Sequence, residues 1–187
     1  MYMIFGITGT DGAGKGTAVD YLVKEKSFTH YHVRSLLLKE IEAEGLEPTR
    51  ANMRLVANKL RAEHGDDYVV RLFLEEAHKH NTKNCIIDSL RTLAEAARLR
   101  EMGGILLAVD ADQMLRYERV QRRQSESDHV TFEEFKAHED LEANDPDPHG
   151  MQKMKVVAAA DYTLHNNGTI EELHAQIDRA LGQIERG

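Results

Sequence analysis

An apolar opening, MYMIF, runs directly into GITGTDGAGKGT, residues 6–17. Glycine loses more backbone freedom on folding than any other residue, so a glycine cluster around one lysine needs a geometric reason. A loop whose successive N–H groups converge supplies that reason, because it makes a concave nest for an anion. Set between a buried strand and a helix, the nest also borrows the partial positive charge of the helix N-terminus. Gly9, four residues, Gly14 and Lys15 have the spacing of a phosphate loop, with Lys15 able to reach the terminal phosphates of a nucleotide. A dinucleotide fingerprint is excluded, since no register here yields G-x-G-x-x-G.

Beyond the loop, apolar runs alternate with helical patterns. YMIFGIT, FTHYHV, CIID, GILLAVD and DYTLHN read as five strands, and a helix is expected from about Thr17 to Glu25. Three helical stretches follow the second strand. Pro48-Thr49 starts the middle one, with Met53, Val56, Ala57 and Leu60 on one face, and Val70, Phe73, Leu74 and Ala77 repeat that spacing in the third. Thr92 with Glu95, Thr131 with Glu134, and Thr169 with Glu172 have capping-box spacing. The last helix carries an apolar face of Leu173, Ile177, Leu181 and Ile184. Strands that are apolar throughout and alternate with helices imply a parallel sheet covered on both faces. The expected fold class is α/β, a three-layer α/β/α sandwich on a five-stranded parallel sheet, in a single domain over residues 1–187.

Composition narrows the function. A net charge of −8 argues against a nucleic-acid backbone as the main partner, but a local positive cluster for a small anion remains compatible with it. The single cysteine, Cys85, lies in an apolar strand, so it reads as an inert buried thiol, with no internal disulfide and a reducing, cytoplasmic setting. The opening apolar run is too short to span a membrane and lacks a signal-peptide layout, so no membrane partner is expected. His30 and His32 would share one strand face, but no Cys, His or carboxylate set has structural-zinc spacing. The acidic run from Glu133 to Asp147 reads as a solvated face or loop.

The loop in its full form, G-x-x-G-x-G-K-G-T, resembles adenylate kinase and its relatives, the P-loop nucleoside monophosphate kinases. The resemblance implies that Asp11, Gly12, Ala13, Gly14, Lys15, Gly16 and Thr17 cradle ATP. Gly16 stands where other phosphate loops have a Mg²⁺-binding hydroxyl, so the metal would be held by phosphates and water, with Thr17 serving the phosphates. Arg34, in HVRSLL after the second strand, matches the position of an arginine for the acceptor phosphate. IIDSLR resembles the family's D-G-x-x-R segment shortened by one, which implies Asp88 holding Mg²⁺ through water and Arg91 binding the acceptor. Asp110, ending its own strand, is the competing metal-side carboxylate; Asp88 is preferred because Arg91 accompanies it.

ERVQRR resembles the start of the adenylate kinase lid, implying that Arg119 stacks on adenine and Arg123 contacts phosphates, both in catalytic roles. ADYTLHNNGTIEEL is similar to the last strand and helix start of dephospho-coenzyme A kinase, which makes Asn166 to Gly168 candidate base contacts. SDHVTFEEFKAHEDLE and EGLEPTRANMRLVANKLRAEHG resemble an archaeal-type branch of uncharacterised kinases. Asp11 resembles the loop aspartate of thymidylate kinase, which can bind an acceptor sugar hydroxyl; as a turn residue it could equally cap its own backbone. The chain departs from its likenesses in lacking arginines in KAHEDLEANDPDP, the stretch directly after FEEF.

The implied organisation is a P-loop kinase with a helical acceptor-binding region at about 34–80 and a lid at about 116–150. The implied activity is phosphotransfer from Mg-ATP to a small acceptor, first a nucleoside or deoxynucleoside monophosphate. Dephospho-coenzyme A kinase is the alternative within that class. A nucleotide-binding switch or assembly ATPase with a protein partner is the alternative outside it.

Overall fold

The computed structural model describes residues 3–122, 130–143 and 145–186. Five parallel strands stand in the order β2-β3-β1-β4-β5: β1 Met3–Gly9, β2 Thr29–His32, β3 Asn84–Asp88, β4 Ile105–Asp110 and β5 Tyr162–His165. The sheet is the one the apolar runs predict. β1 is central, with Ile7 opposite Asp88 of β3 and Gly9 opposite Val109 of β4.

Side-chain alternation divides the core, because successive strand residues face opposite sides. Phe5, Ile7, Ile86, Leu107 and Val109 pack with helices α1, Lys15–Lys26, and α9, Ile170–Ile184. Cys85, Ile87 and Leu106 point the other way, toward α4, Tyr68–Lys79, and α5, Leu93–Glu101. Each face of the sheet is therefore covered, and the central strands need no polar side, while β2 and β5 at the edges keep exposed polar residues. On α9, Leu173, Ile177 and Leu181 are buried as the spacing predicts, each contributing about 1.5–3 kcal/mol of apolar burial.

Helices α2, Val33–Ala43, and α3, Arg50–His64, build a separate small core from Leu37, Ile41, Val56, Ala57 and Leu60. Two further helices, α6 Gln113–Arg122 and α7 Phe132–Ala143, follow β4. Helix α1 begins at Lys15, two residues before the expected Thr17, because Gly14 already serves as its N-cap. A short helix not expected from the sequence, α8 Lys153–Ala158, precedes β5. Six residues are too few to carry a helical period, and Val156 is its fully buried apolar anchor. No helix among the described residues is long and apolar enough to cross a membrane.

Candidate active site

β1, β3 and β4 end at Gly9, Asp88 and Asp110, so the loops after them leave the same edge of the sheet, where parallel α/β sheets bind ligands. A cavity of about 730 Å³ opens there. Its floor is the glycine loop and the start of α1. Gly12 and Gly14 have φ of 77° and 100°, a region that L side chains avoid. An added Cβ would also lie 2.3 Å from the Arg116 carbonyl oxygen or 2.2 Å from Asn166 Nδ2. Gly16 differs: a Cβ there would meet no atom within 4 Å, and the residue lines the cavity. The open space above it fits an anion at the α1 N-terminus.

Lys15 Nζ donates to the carbonyls of Gly9 at 3.0 Å and Thr10 at 2.8 Å. Burial and the neighbouring Arg91 charge pull its ammonium down to about 7, against the opposing pull of Asp11 and Asp88. Asp11 is surrounded by cations. Its Oδ1 lies 3.2 Å from Lys153 Nζ and 4.0 Å from Lys15 Nζ, and its Oδ2 accepts from Arg50 Nη1 at 3.3 Å. Burial opposes ionisation of Asp11, yet these charges hold its carboxyl well below the usual carboxylate range. Lys153, only 2% exposed, also pairs with Glu142 of α7.

Asp88 Oδ2 is 3.5 Å from His30 Nε2 and 4.0 Å from His32 Nε2, and its Oδ1 accepts from Ser89 Oγ. Burial would raise the Asp88 carboxyl; the bonds from His30 and Ser89 and the Lys15 charge outweigh it and leave the group lowered. Asp110, the rival carboxylate, accepts from Thr10 Oγ1 at 2.7 Å and lines a second cavity of about 250 Å³ behind the loop. Of the two, Asp88 is the one that lines the larger cavity.

Of the six arginines that line this cavity, three come from separate elements and share one feature: Arg54 on α3, Arg91 on the β3–α5 loop and Arg119 on α6. In each, Nη1 is buried and has no hydrogen-bond partner among the described residues. A buried charged donor left unbonded is costly, so such a set marks a place for an anion. Arg91 is held from behind: its N–H donates to Glu95 Oε2, and its carbonyl accepts from the Gln152 N–H at 2.7 Å. Glu95 Oε1 in turn pairs with Arg61 Nη2 at 3.3 Å, both side chains 2% exposed.

Of the residues singled out from the sequence, Asp11, Gly12, Gly14, Lys15, Gly16, Thr17, Arg34, Asp88, Arg91, Arg119, Asn166 and Gly168 line this one cavity. Ala13 does not; its side chain belongs to the core, and its carbonyl accepts from Asn166 Nδ2 at 2.7 Å. The Asn166 side chain is thus tied to the loop. The Asp11 carboxylate lines the cavity, and its oxygens meet Lys153, Lys15 and Arg50. Arg123 lies outside the described residues. Within the acidic run Glu133, Glu134, Asp140 and Asp147 are exposed as expected, whereas Glu139 and Glu142 pair with the buried Arg116 and Lys153.

Arg50, Arg54 and Arg61, all on the cavity, escaped the sequence reading although helical spacing carried a signal. They fall at i, i+4 and i+11 on α3 and so share a face. Lys153 had no such signal.

A family model described as an AAA domain matches residues 6–145. The UPF0200 protein of Thermococcus kodakarensis is 30% identical over 188 residues, covering 97% of this chain and 98% of its own. The chain belongs to the AAA-domain and UPF0200 families. The UPF0200 protein of Hyperthermus butylicus is 28% identical over 183 residues, covering 97% of this chain and 95% of the relative. Among solved structures, TT1252 from Thermus thermophilus superposes with a TM-score of 0.66 at 23% identity, covering 97% of each chain. Shikimate kinase from Bacteroides thetaiotaomicron gives 0.63 at 11% identity over 98% of each. These likenesses show the fold, a three-layer α/β architecture that this chain shares with both structures.

Proposed function

We propose that the chain transfers the terminal phosphoryl group of Mg-ATP to a small phosphorylated acceptor, with a nucleoside monophosphate as the first choice. The observation that carries this reading is the convergence of buried, unpartnered guanidinium nitrogens from Arg91 and Arg119 on a cavity floored by the glycine loop. Phosphoryl transfer asks little covalent help of a protein; it needs two anions aligned, neutralised and shielded from water.

In this scheme the backbone around Gly12 to Thr17 cradles the donor and Lys15 binds its terminal phosphates. Arg34 and Arg91 hold the acceptor, while Arg119 reaches the donor from α6 and Arg123 keeps the phosphate-contacting role that the resemblance implies. Asp88 would hold water on Mg²⁺, and the ion when bound offsets phosphate charge. The bond from the terminal phosphorus to its bridging oxygen breaks, and ADP leaves with the electron pair. A bond forms from that phosphorus to an oxygen of the acceptor phosphate. That oxygen is already anionic, so the step needs no general base. A sugar-hydroxyl acceptor, as in dephospho-coenzyme A, would need one. Asp11 is a poor base because its neighbouring cations hold its carboxyl well below the usual range, so its carboxylate has little affinity for a proton. This favours the phosphate acceptor.

The test is transfer from Mg-ATP to a panel of nucleoside monophosphates and dephospho-coenzyme A, alongside ligand-induced thermal shifts. A ligand at about a hundred times its Kd stabilises by about 2.7 kcal/mol, well within detection. Lys15→Ala should lower transfer about a thousandfold or more, as removal of a charge-neutralising cation does in this chemistry, with the fold retained. Near-normal transfer by Lys15→Ala would overturn the scheme. Response to ATP alone, with hydrolysis and no transfer, would assign the nucleotide switch.

A further inference from the structure

Helix α3 forms the cavity wall that carries Arg50, Arg54, Ala57 and Arg61. These positions fall at i, i+4, i+7 and i+11, one face of a helix. Two of the three arginines meet carboxylates: Arg50 pairs with Asp11, and Arg61 with Glu95. Arg54 is different. Its Nη1 is buried and lacks a hydrogen-bond partner among the described residues. The nearby carboxylate that feels its charge, Asp147, spends Oδ2 on Asn58 Nδ2 and Oδ1 on the His149 N–H.

Arg91 Nη1 is in the same condition, and Arg34, exposed in the first turn of α2, lines the same cavity. The same cavity also takes apolar lining from Val33, Leu37, Met53 and Ala57. Forked guanidinium donors suit the oxygens of a phosphate, and three of them suit a dianion better than a single carboxylate. An apolar lining beside such a cluster suits a ligand with one charged end and one uncharged, flat or apolar body.

We propose that Arg54 is an acceptor-binding residue. With Arg34 and Arg91 it takes the phosphate of a phosphomonoester whose body rests against Met53 and Leu37. The proposal rests on the phosphotransfer reading above and adds to it the residue on α3 that selects a phosphorylated acceptor.

The experiment uses the full chain and its Arg54→Gln and Arg54→Lys variants, with AMP, GMP, CMP, UMP and dTMP as probes. Binding of each probe and of Mg-ATP is measured by calorimetry, together with melting temperature without ligand. At least one monophosphate should bind the unaltered chain. Arg54→Gln should weaken it by about tenfold or more, the value of one charge-assisted contact, and leave Mg-ATP within about twofold. Arg54→Lys should recover part of the loss. In turnover, the KM for the monophosphate should rise while that for ATP holds.

Because Arg54 Nη1 is buried with no hydrogen-bond partner among the described residues, Arg54→Gln should melt at or above the temperature of the unaltered chain. A purely structural arginine would lower it. Unchanged monophosphate binding in Arg54→Gln overturns the proposal and leaves the phosphotransfer reading standing. So does equal weakening of ATP and monophosphate, or a fall in melting temperature in both variants. An unaltered chain that binds Mg-ATP but none of the five monophosphates also overturns it. An unaltered chain indifferent to Mg-ATP as well removes the reading on which it rests.

Discussion

On the donor side of the cavity, Lys15 is held by carbonyls five and six residues earlier in the chain, whereas on the far side Arg61 meets Glu95 across 34 residues. The glycine loop closes on itself. Its positive-φ glycines, its lysine and the helix start all lie within one short stretch. The opposite wall is assembled from α2, α3 and the β3–α5 loop, whose residues have no common local pattern. The first kind of site is built by backbone conformation, and the second by long-range pairing of charges buried among apolar helices. The two should therefore fail in different ways.

The largest expected effect lies in the long-range half. Glu95 is 2% exposed and accepts from Arg61 through Oε1 and from the Arg91 and Thr92 N–H groups through Oε2. Glu95→Ala leaves Arg61 as a buried, unpaired charge, a loss of about 3–5 kcal/mol. Chemical denaturation measures it. The loosened Arg91 should also weaken monophosphate binding more than ATP binding. A loss below about 1 kcal/mol, typical of an exposed pair, would show that this wall does not depend on the buried pair.

The donor half should reveal itself through protons. Lys15 sits near 7 in the folded chain, far below an ordinary lysine. Between that value and about 10.5 the unfolded chain binds a proton that the folded chain does not, so Lys15 makes stability rise with pH across that window. A polyphosphate beside the ammonium favours its charged form and reverses the shift. At pH 8, binding of Mg-ATP should take up as much as about one proton, read by calorimetry in two buffers of different ionisation heat. Proton release, or no exchange, would mean that Lys15 is not at the phosphates. Each pKa unit recovered corresponds to about 1.4 kcal/mol of the binding energy.

This contrast explains what could be read from the chain before folding. The three central strands were legible because burial on both faces makes them largely apolar, as in Ile86-Ile87 and Leu106-Leu107, whereas the edge strands THYH and YTLH carry exposed polar residues. The glycine loop was legible because its geometry is encoded in adjacent residues. The capping boxes at Thr92 and Thr169 were legible for the same reason. Lys153 was not: in MQKMKVV it looks like any exposed lysine, and its burial comes from Asp11 and Glu142, which the fold brings to it. Arg54 lay on a helix whose apolar stripe was recognised, but the stripe says which side packs and nothing about which arginine is left unpaired at its margin. The cations around Asp11 were equally hidden, since Arg50 and Lys153 lie far from it in the chain and only the fold brings them to its carboxylate.

The smallest effect tests whether a local signal stays local. Thr169 accepts from the Glu172 N–H at 3.2 Å, and Glu172 Oε2 accepts from the Thr169 N–H at 3.0 Å, closing the box that starts α9. Thr169→Ala should cost about 1 kcal/mol in denaturation, the usual value of such a cap. Gly168 and Ile170, on either side of it, both line the cavity, so a frayed helix start would disturb that edge. Asn166, however, is fastened independently, through its N–H to the Asp110 carbonyl at 2.8 Å and its side chain to Ala13. The affinity for Mg-ATP should therefore change by less than about threefold while stability falls, a split that calorimetry and denaturation on the same sample resolve. A larger loss of ATP affinity would mean that the cap, and not Asn166, holds the edge of the donor site, and that even a box readable from four residues acts at a distance.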